Sequence, residues 1–108
     1  MFGKLGDMAN ILQKAQDMQK KMAAAQEEIL KIEAKGKSQG GLVEAIAGGD
    51  FSIKRITISS ECAKTADPEI IQEHVTQAVN AALDQLKLKS KEKMQEVTGG
   101  MDLPGLSL

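Results

Sequence analysis

Aromatic side chains are nearly missing from this sequence: Phe2 and Phe51 are the only two, with no tryptophan and no tyrosine. Large aromatics usually supply much of the buried area of a core or an interface. Here alanine, isoleucine, leucine and six methionines must do that packing, which favours closely apposed helices over a thick globular core. Cysteine and histidine are just as scarce. A single Cys62 excludes an intrachain disulfide framework, and with one histidine, His74, a Cys/His zinc site cannot be assembled. An excess of either charge is also lacking. Fourteen basic residues oppose fifteen acidic ones, for a net charge of −1, so no global field draws the chain to nucleic acid or to an anionic membrane. Any such binding must come from local clustering. Long apolar runs are absent too: the polar residues of KAQDMQKK interrupt the first candidate, no stretch reads as a signal peptide, and none is long enough to span a bilayer. The expectation is a cytoplasmic protein without membrane contact.

Catalytic patterns are missing as well. The glycine pairs at 40–41, 48–49 and 99–100 lack the Lys-Ser/Thr or strand-to-helix context of a phosphate loop. His74 has Glu73 beside it, but adjacent residues on a helix do not face each other. Cys62 follows Glu61 and lacks the electropositive setting that activates a thiol. The sequence therefore predicts no enzyme, no cofactor, no metal and no small-molecule substrate.

What is present is helical and strand periodicity within one domain, residues 1–98, followed by a short tail, 99–108. From Asp7 to about Leu30 apolar residues recur at Met8, Leu12, Ala15, Met18, Met22, Ala25 and Ile29, in steps of three and four. Asp7 is the expected N-cap, and the helix would be roughly 35 Å long. The period then shortens. Ile32, Ala34 and Gly36 alternate with Glu33, Lys35 and Lys37 as a half-buried strand, Ser38–Gly41 is a turn, and Leu42–Ala47 is a second strand. After the Gly48-Gly49-Asp50 turn, Phe51–Ser59 is a third. Its parity breaks: Phe51 and Ile53 share one face, Ile56 and Ile58 the other. Either a bulge lies near Lys54-Arg55 or both faces are covered. Ser60–Ala66 reads as a connector. Asp67-Pro68-Glu69 then opens a second helix, with a cap, a proline at the first helical position and an acid in the first turn. Apolar positions carry it through Ile71, Val75, Val79, Leu83, Leu86, Met94 and Val97, about 40 Å. Asn80, inside the apolar AVNAAL run, either faces solvent or sets a pairing register.

The expected fold class is α+β: an α-β-β-β-α chain with two long helices flanking a three-stranded antiparallel meander. Both helices exceed the ~30 Å breadth of a small domain, so each projects beyond the sheet with an apolar stripe that needs a cover. The start of the first and the end of the second can lie together at the far end as an antiparallel pair. The core of one such chain is thin and its sheet edges stay open, so a homodimer is expected over the alternative, a monomeric sheet with both helices packed on one face.

The charge is not evenly spread. Residues 1–21 carry +2, 61–84 carry −4 and 85–96 carry +2, so the positive segments are the outer half of the first helix and the outer end of the second. Lys87 and Lys91 flank the apolar seam of the second helix on one side, Lys89 and Lys93 on the other. Such lysines either solvate a helix end and favour its dipole or together form a binding site.

Five segments, in order, carry a family resemblance: the opening MFGKLGDMANILQKAQDMQKKM, GGLVEA, the Ile56-Thr57-Ile58 strand end, AVNAAL, and EKMQEVTGGMDLPGL. With these the sequence resembles the YbaB/EbfC family of bacterial nucleoid-associated proteins. It departs from the family's common acidic-proline start to the connector, having Ser59-Ser60-Glu61-Cys62 there. The resemblance implies an α-β-β-β-α homodimer with protruding helices like tweezers, binding double-stranded DNA on the cytoplasmic nucleoid. A DNA contact would be carried onto Lys4, Lys14, Lys20, Lys21, Lys91 and Lys93; Lys87 and Lys89 join them from the charge count alone. Lysine is a point charge that reads no base pattern, and among the basic residues only Arg55 is suited to bidentate base contacts. The expected binding is therefore weak, salt-sensitive and low in sequence preference. The alternative is a dimeric adaptor that holds a protein partner in its helical cleft through methionine-rich surface, with DNA association indirect.

Overall fold

The computed structural model describes residues 2–98, with side chains from 5 to 97; the tail at 99–108 lies outside the described residues. The element order is helix α1 (Phe2–Leu30), strand β1 (Glu33–Lys37), a 3-10 turn (Gln39–Gly41), strands β2 (Val43–Gly48) and β3 (Ile53–Ile58), a short helix α2 (Ser60–Lys64) and helix α3 (Pro68–Thr98). The three strands form one antiparallel sheet in the order β1-β2-β3. The α-β-β-β-α order expected from the sequence is thus observed. The molecule is long and thin, 78 × 19 × 16 Å.

Helix α1 begins at Phe2, so Asp7 is an interior residue and not its cap. One glycine at an exposed helical position costs only about 1 kcal/mol relative to alanine, and Gly6 has nothing within 4 Å of where a Cβ would stand. Leu5 also continues the apolar spacing of Met8 and Leu12 back across that glycine. At its other end α1 is fastened to the second hairpin. Gly49 N–H donates to Ile32 O at 2.9 Å, and any Cβ on Gly49 would overlap the Ile29 carbonyl.

The alternation read in β1 holds: Ala34 and Gly36 are buried, while Glu33, Lys35 and Lys37 are exposed. In β3 the parity break is a bulge. Ala45 faces Ile56 and Ile46 faces Arg55, but Ala47 faces Ile53, so Lys54 is the extra residue. Directly opposed residues share a sheet face. The bulge therefore brings Ile53, Ile56 and Ile58 onto the same face as Ala47, Ala45 and Val43. The β2–β3 turn is held by Asp50, whose carboxylate accepts from Ser52 N–H at 3.2 Å, Ser52 Oγ at 2.6 Å and Lys54 Nζ at 3.1 Å. The hydroxyl of Ser52 is the foremost influence, followed by Lys54 and the Ser52 amide, and together they hold the Asp50 carboxyl down at about 2. A depressed folded-state pKa contributes stability above the unfolded value and loses it as pH falls towards the folded one. The turn should therefore tighten its hold between about 2 and 3.8 as pH rises; an NMR titration of the Asp50 carboxyl is expected to show a midpoint near the lower figure, and a midpoint at the ordinary aspartate value would contradict the triple hydrogen bond.

The segment expected to be a connector contains α2. Ser59 Oγ accepts from Cys62 N–H at 3.2 Å, a serine N-cap, with Glu61 in the first turn. That turn places Cys62 at 0% exposure in the core, not in a loop. Helix α3 starts as expected: Asp67 Oδ1 accepts from Glu69 N–H at 3.0 Å, with Pro68 at the first helical position. Its first half lies across β1 and β2. The core joins Ala34, Val43, Ala45, Ala47 and Cys62 to Ala78, Ala82 and Leu86. Five of these eight are alanine, which is how a chain short of aromatics fills an interior: it brings backbones close together. His74 is half-buried, with Nδ1 2.9 Å from Ser38 Oγ, and that hydroxyl accepts from Val43 N–H at 2.9 Å. It pins α3 to the first hairpin.

Candidate nucleic-acid interface

The lysines singled out by sequence sit on a shaft made by α1 and the end of α3. Where the helices meet, Ala25 is buried and Met22, Ile29, Met94 and Val97 are half-buried. Lys93 Nζ lies 2.6 Å from a Glu28 oxygen and 3.6 Å from Glu96. Lys89 Nζ donates to Glu33 O at 3.0 Å. Residue numbers rise along α3 as they fall along α1, so the helices are antiparallel, as expected. The hydrogen bond from Lys93 and then its charge hold the Glu28 carboxyl below the usual range, and Glu28 in turn raises Lys93.

The meeting point differs from expectation. Because α3 uses its first half on the sheet, only its last turns reach α1, and they lie beside α1's second half instead of its start. The first half of α1 overshoots. Leu5, Met8, Ile11 and Leu12 there are 61–71% exposed. The lysines consequently do not gather at one tip. Glu28, level with Lys93, is about 21 Å along α1 from Lys14 and about 10–12 Å from Lys20 and Lys21. They form a ladder along the shaft.

Two groups can be separated. Lys14, Lys20, Lys21, Lys87 and Lys91 are exposed and have no ion pair or hydrogen bond among the described residues. Lys89 and Lys93, four residues apart and so on one side of α3, fasten it to the start of β1 at the Glu33 carbonyl and to α1 at Glu28. Lys4 lies in α1, but its side chain is outside the described residues. The acidic stretch, Glu61 through Asp84, occupies α2 and the sheet-bound half of α3, away from the free lysines of α1. Residues 4–101 match the sequence model of the YbaB/EbfC DNA-binding family.

The chain belongs to that family.

In this YbaB/EbfC protein two features escaped the sequence reading. One is the inward use of Lys89 and Lys93, which needed the positions of Glu28 and Glu33 in space. The other is the row Ile53, Ile56 and Ile58, 37–42% exposed on the open strand β3; the parity break in the sequence signalled the bulge but not that α3 would stop short of it. Among the described residues the shaft also holds one unsatisfied group. Ser90 is 1% exposed and its Oγ has no hydrogen-bond partner. Leaving a buried hydroxyl unpaired costs about 1–3 kcal/mol, so Ser90→Ala is expected to stabilise the fold by about 1 kcal/mol in urea denaturation; a loss of stability would show that the hydroxyl is bonded. No described helix is long and apolar enough to cross a membrane.

Proposed function

We propose that this chain acts on the nucleoid as a homodimer that binds duplex DNA with low sequence preference, through phosphate contacts from the lysine ladder. Membership of a DNA-binding family supports DNA as the partner. The observation that carries the site is the set of unpaired lysines, with Lys14, Lys20 and Lys21 on the projecting α1 and Lys87 and Lys91 on the second half of α3. From Lys14 to Lys87 the ladder covers about 30 Å, close to one turn of duplex. Lys4 extends the set outward in sequence, and Lys89 and Lys93 join it only if they leave their present partners. Lysine contacts of this kind fix position on the backbone without reading bases.

The dimer rests on the sheet. Ile53, Ile56 and Ile58 lie on the core face of β3 but beyond the cover of α3, and β3 is an open edge. A second copy laid over that row would extend the thin core and close the edge. Ile56→Asp is expected to give a monomer by sedimentation equilibrium at concentrations where the parent is a dimer. An unchanged mass would place the interface elsewhere.

A gel shift with purified protein and a random-sequence duplex at two salt concentrations tests the DNA reading. Binding at low salt that is lost at high salt is expected. The adaptor alternative is favoured by one observation, the exposed Leu5, Met8, Ile11 and Leu12, and it requires no shift at either concentration.

A further inference from the structure

The apolar stripe of α1 is continuous, but its cover is not. Met22, Ala25 and Ile29 are buried or half-buried at the meeting with α3 and Met18 is half-buried farther out, whereas Leu5, Met8, Ile11, Leu12 and Ala15, on the same winding stripe, are exposed. Because Lys93 is level with Glu28, the end of α3 at Thr98 comes alongside about residue 23 of α1 by equal rise on antiparallel helices. The uncovered stripe begins about two turns farther out, at Ala15. An isolated helical segment of this length is marginal in water, and four large apolar side chains in a row are an interaction surface in want of an occupant.

We infer that the occupant is the chain's own tail, residues 99–108, laid back along the outer half of α1. Gly99-Gly100 ends the helical pattern where α3 would otherwise lead straight on. The next eight residues, MDLPGLSL, carry four apolar side chains, Met101, Leu103, Leu106 and Leu108, and one charge, Asp102. Ten residues reach up to about 33 Å, and the bare stripe from Ala15 to Leu5 is about 15 Å long. The tail is tethered at the inner end of that stripe, so its effective concentration is in the millimolar range for a short flexible link. A second copy or another protein has to compete with that. The docked tail continues the seam that α3 begins and stiffens the arm bearing Lys14. Docking of the tail does not depend on whether the arm touches DNA.

Two measurements on the full chain test it. In a Cys62→Ala background, Leu12→Cys and Leu103→Cys are expected to form a disulfide under mild oxidation at the mass of one chain, at least tenfold faster than Lys20→Cys with Leu103→Cys, since Lys20 points away from the stripe. A Leu12–Leu12 or Leu12–Leu103 link at the mass of two chains would hand the stripe to a second copy and overturn the inference, as would equal rates for the two pairs. In the parent background, with Cys62 retained, Leu103→Asp together with Leu106→Asp is expected to speed amide exchange at residues 5–17 at least tenfold while leaving 34–86 unchanged. Unchanged exchange at 5–17 would overturn it without any disulfide experiment, and neither readout depends on a DNA gel shift.

Discussion

Replacing Gly36 by alanine is expected to cost about 3 kcal/mol or more, and in a fold of ordinary stability that removes a large fraction of the total. Gly36 lies on β1 directly beneath α3. A Cβ built there would overlap Ala82 N and Ala78 O, and would stand 2.6 Å from Ala81 C. All three are backbone atoms of a helix, so no side chain can swing aside. The helix itself must lift, and the contacts of Ala78, Ala82 and Leu86 with Val43, Ala45 and Ala47 loosen together. Overpacking a rigid interior usually costs 1–3 kcal/mol, and the absence of a yielding neighbour puts this site at the upper end. Gly6→Ala is the internal control. It meets nothing within 4 Å and should gain up to about 1 kcal/mol from helix propensity. Urea denaturation of the two variants at one protomer concentration checks both signs, since any self-association would make apparent stability concentration-dependent. A Gly36→Ala protein within 1 kcal/mol of the parent would mean that α3 is not seated on β1 as described.

Removing the free lysines together should lower DNA affinity on the order of a hundredfold at low salt and flatten its salt dependence. The variant is Lys14→Ala, Lys20→Ala, Lys21→Ala, Lys87→Ala and Lys91→Ala in one chain. These side chains are exposed and unpaired among the described residues, so their loss breaks no internal contact and circular dichroism should be unchanged. Each phosphate contact removed lowers the slope of log affinity against log salt by about 0.9. Lys89→Ala and Lys93→Ala should behave differently. Their ammonium groups already serve Glu33 O and Glu28, so their replacement loosens the root of the arm more than it removes charge from DNA. The Glu28 pair also gives this clasp a pH dependence. Because the Glu28 carboxyl is held below its ordinary value, the clasp is whole above that value and is lost as pH falls through the depressed one. An unchanged salt slope in the five-lysine variant would remove the ladder from the DNA contact.

Much of this protein was legible because its signals are local. Alternation placed Ala34 and Gly36 inward, the Asp67-Pro68 start set the first turn of α3, and the broken parity between Ile53 and Ile56 left a bulge or two covered faces, of which the bulge, at Lys54, is found. Local rules misled where a competing local rule won. Asp7 has the chemistry of a cap, yet the helix runs through Gly6 because the apolar spacing continues to Leu5. Ser60–Ala66 looked like a connector, yet Ser59 caps a helical turn that carries Cys62 into the core. The free lysines were visible in the sequence as residue types and positions.

Their arrangement was not visible. By itself the sequence determined the α-β-β-β-α order, the scarcity of aromatics that leads to an alanine-rich seam, and the concentration of lysine at the two ends of the chain. Those follow from periodicity, propensity and composition, which act over a few residues. Only the tertiary structure decided that α3 spends its first half on β1 and β2, that it therefore meets the second half of α1, and that Lys89 and Lys93 turn inward while Lys14, Lys20 and Lys21 stand free. The reason is physical: where two helices meet is set by how much of each the sheet consumes, and the register between residues 28 and 93 is fixed by packing across the whole fold.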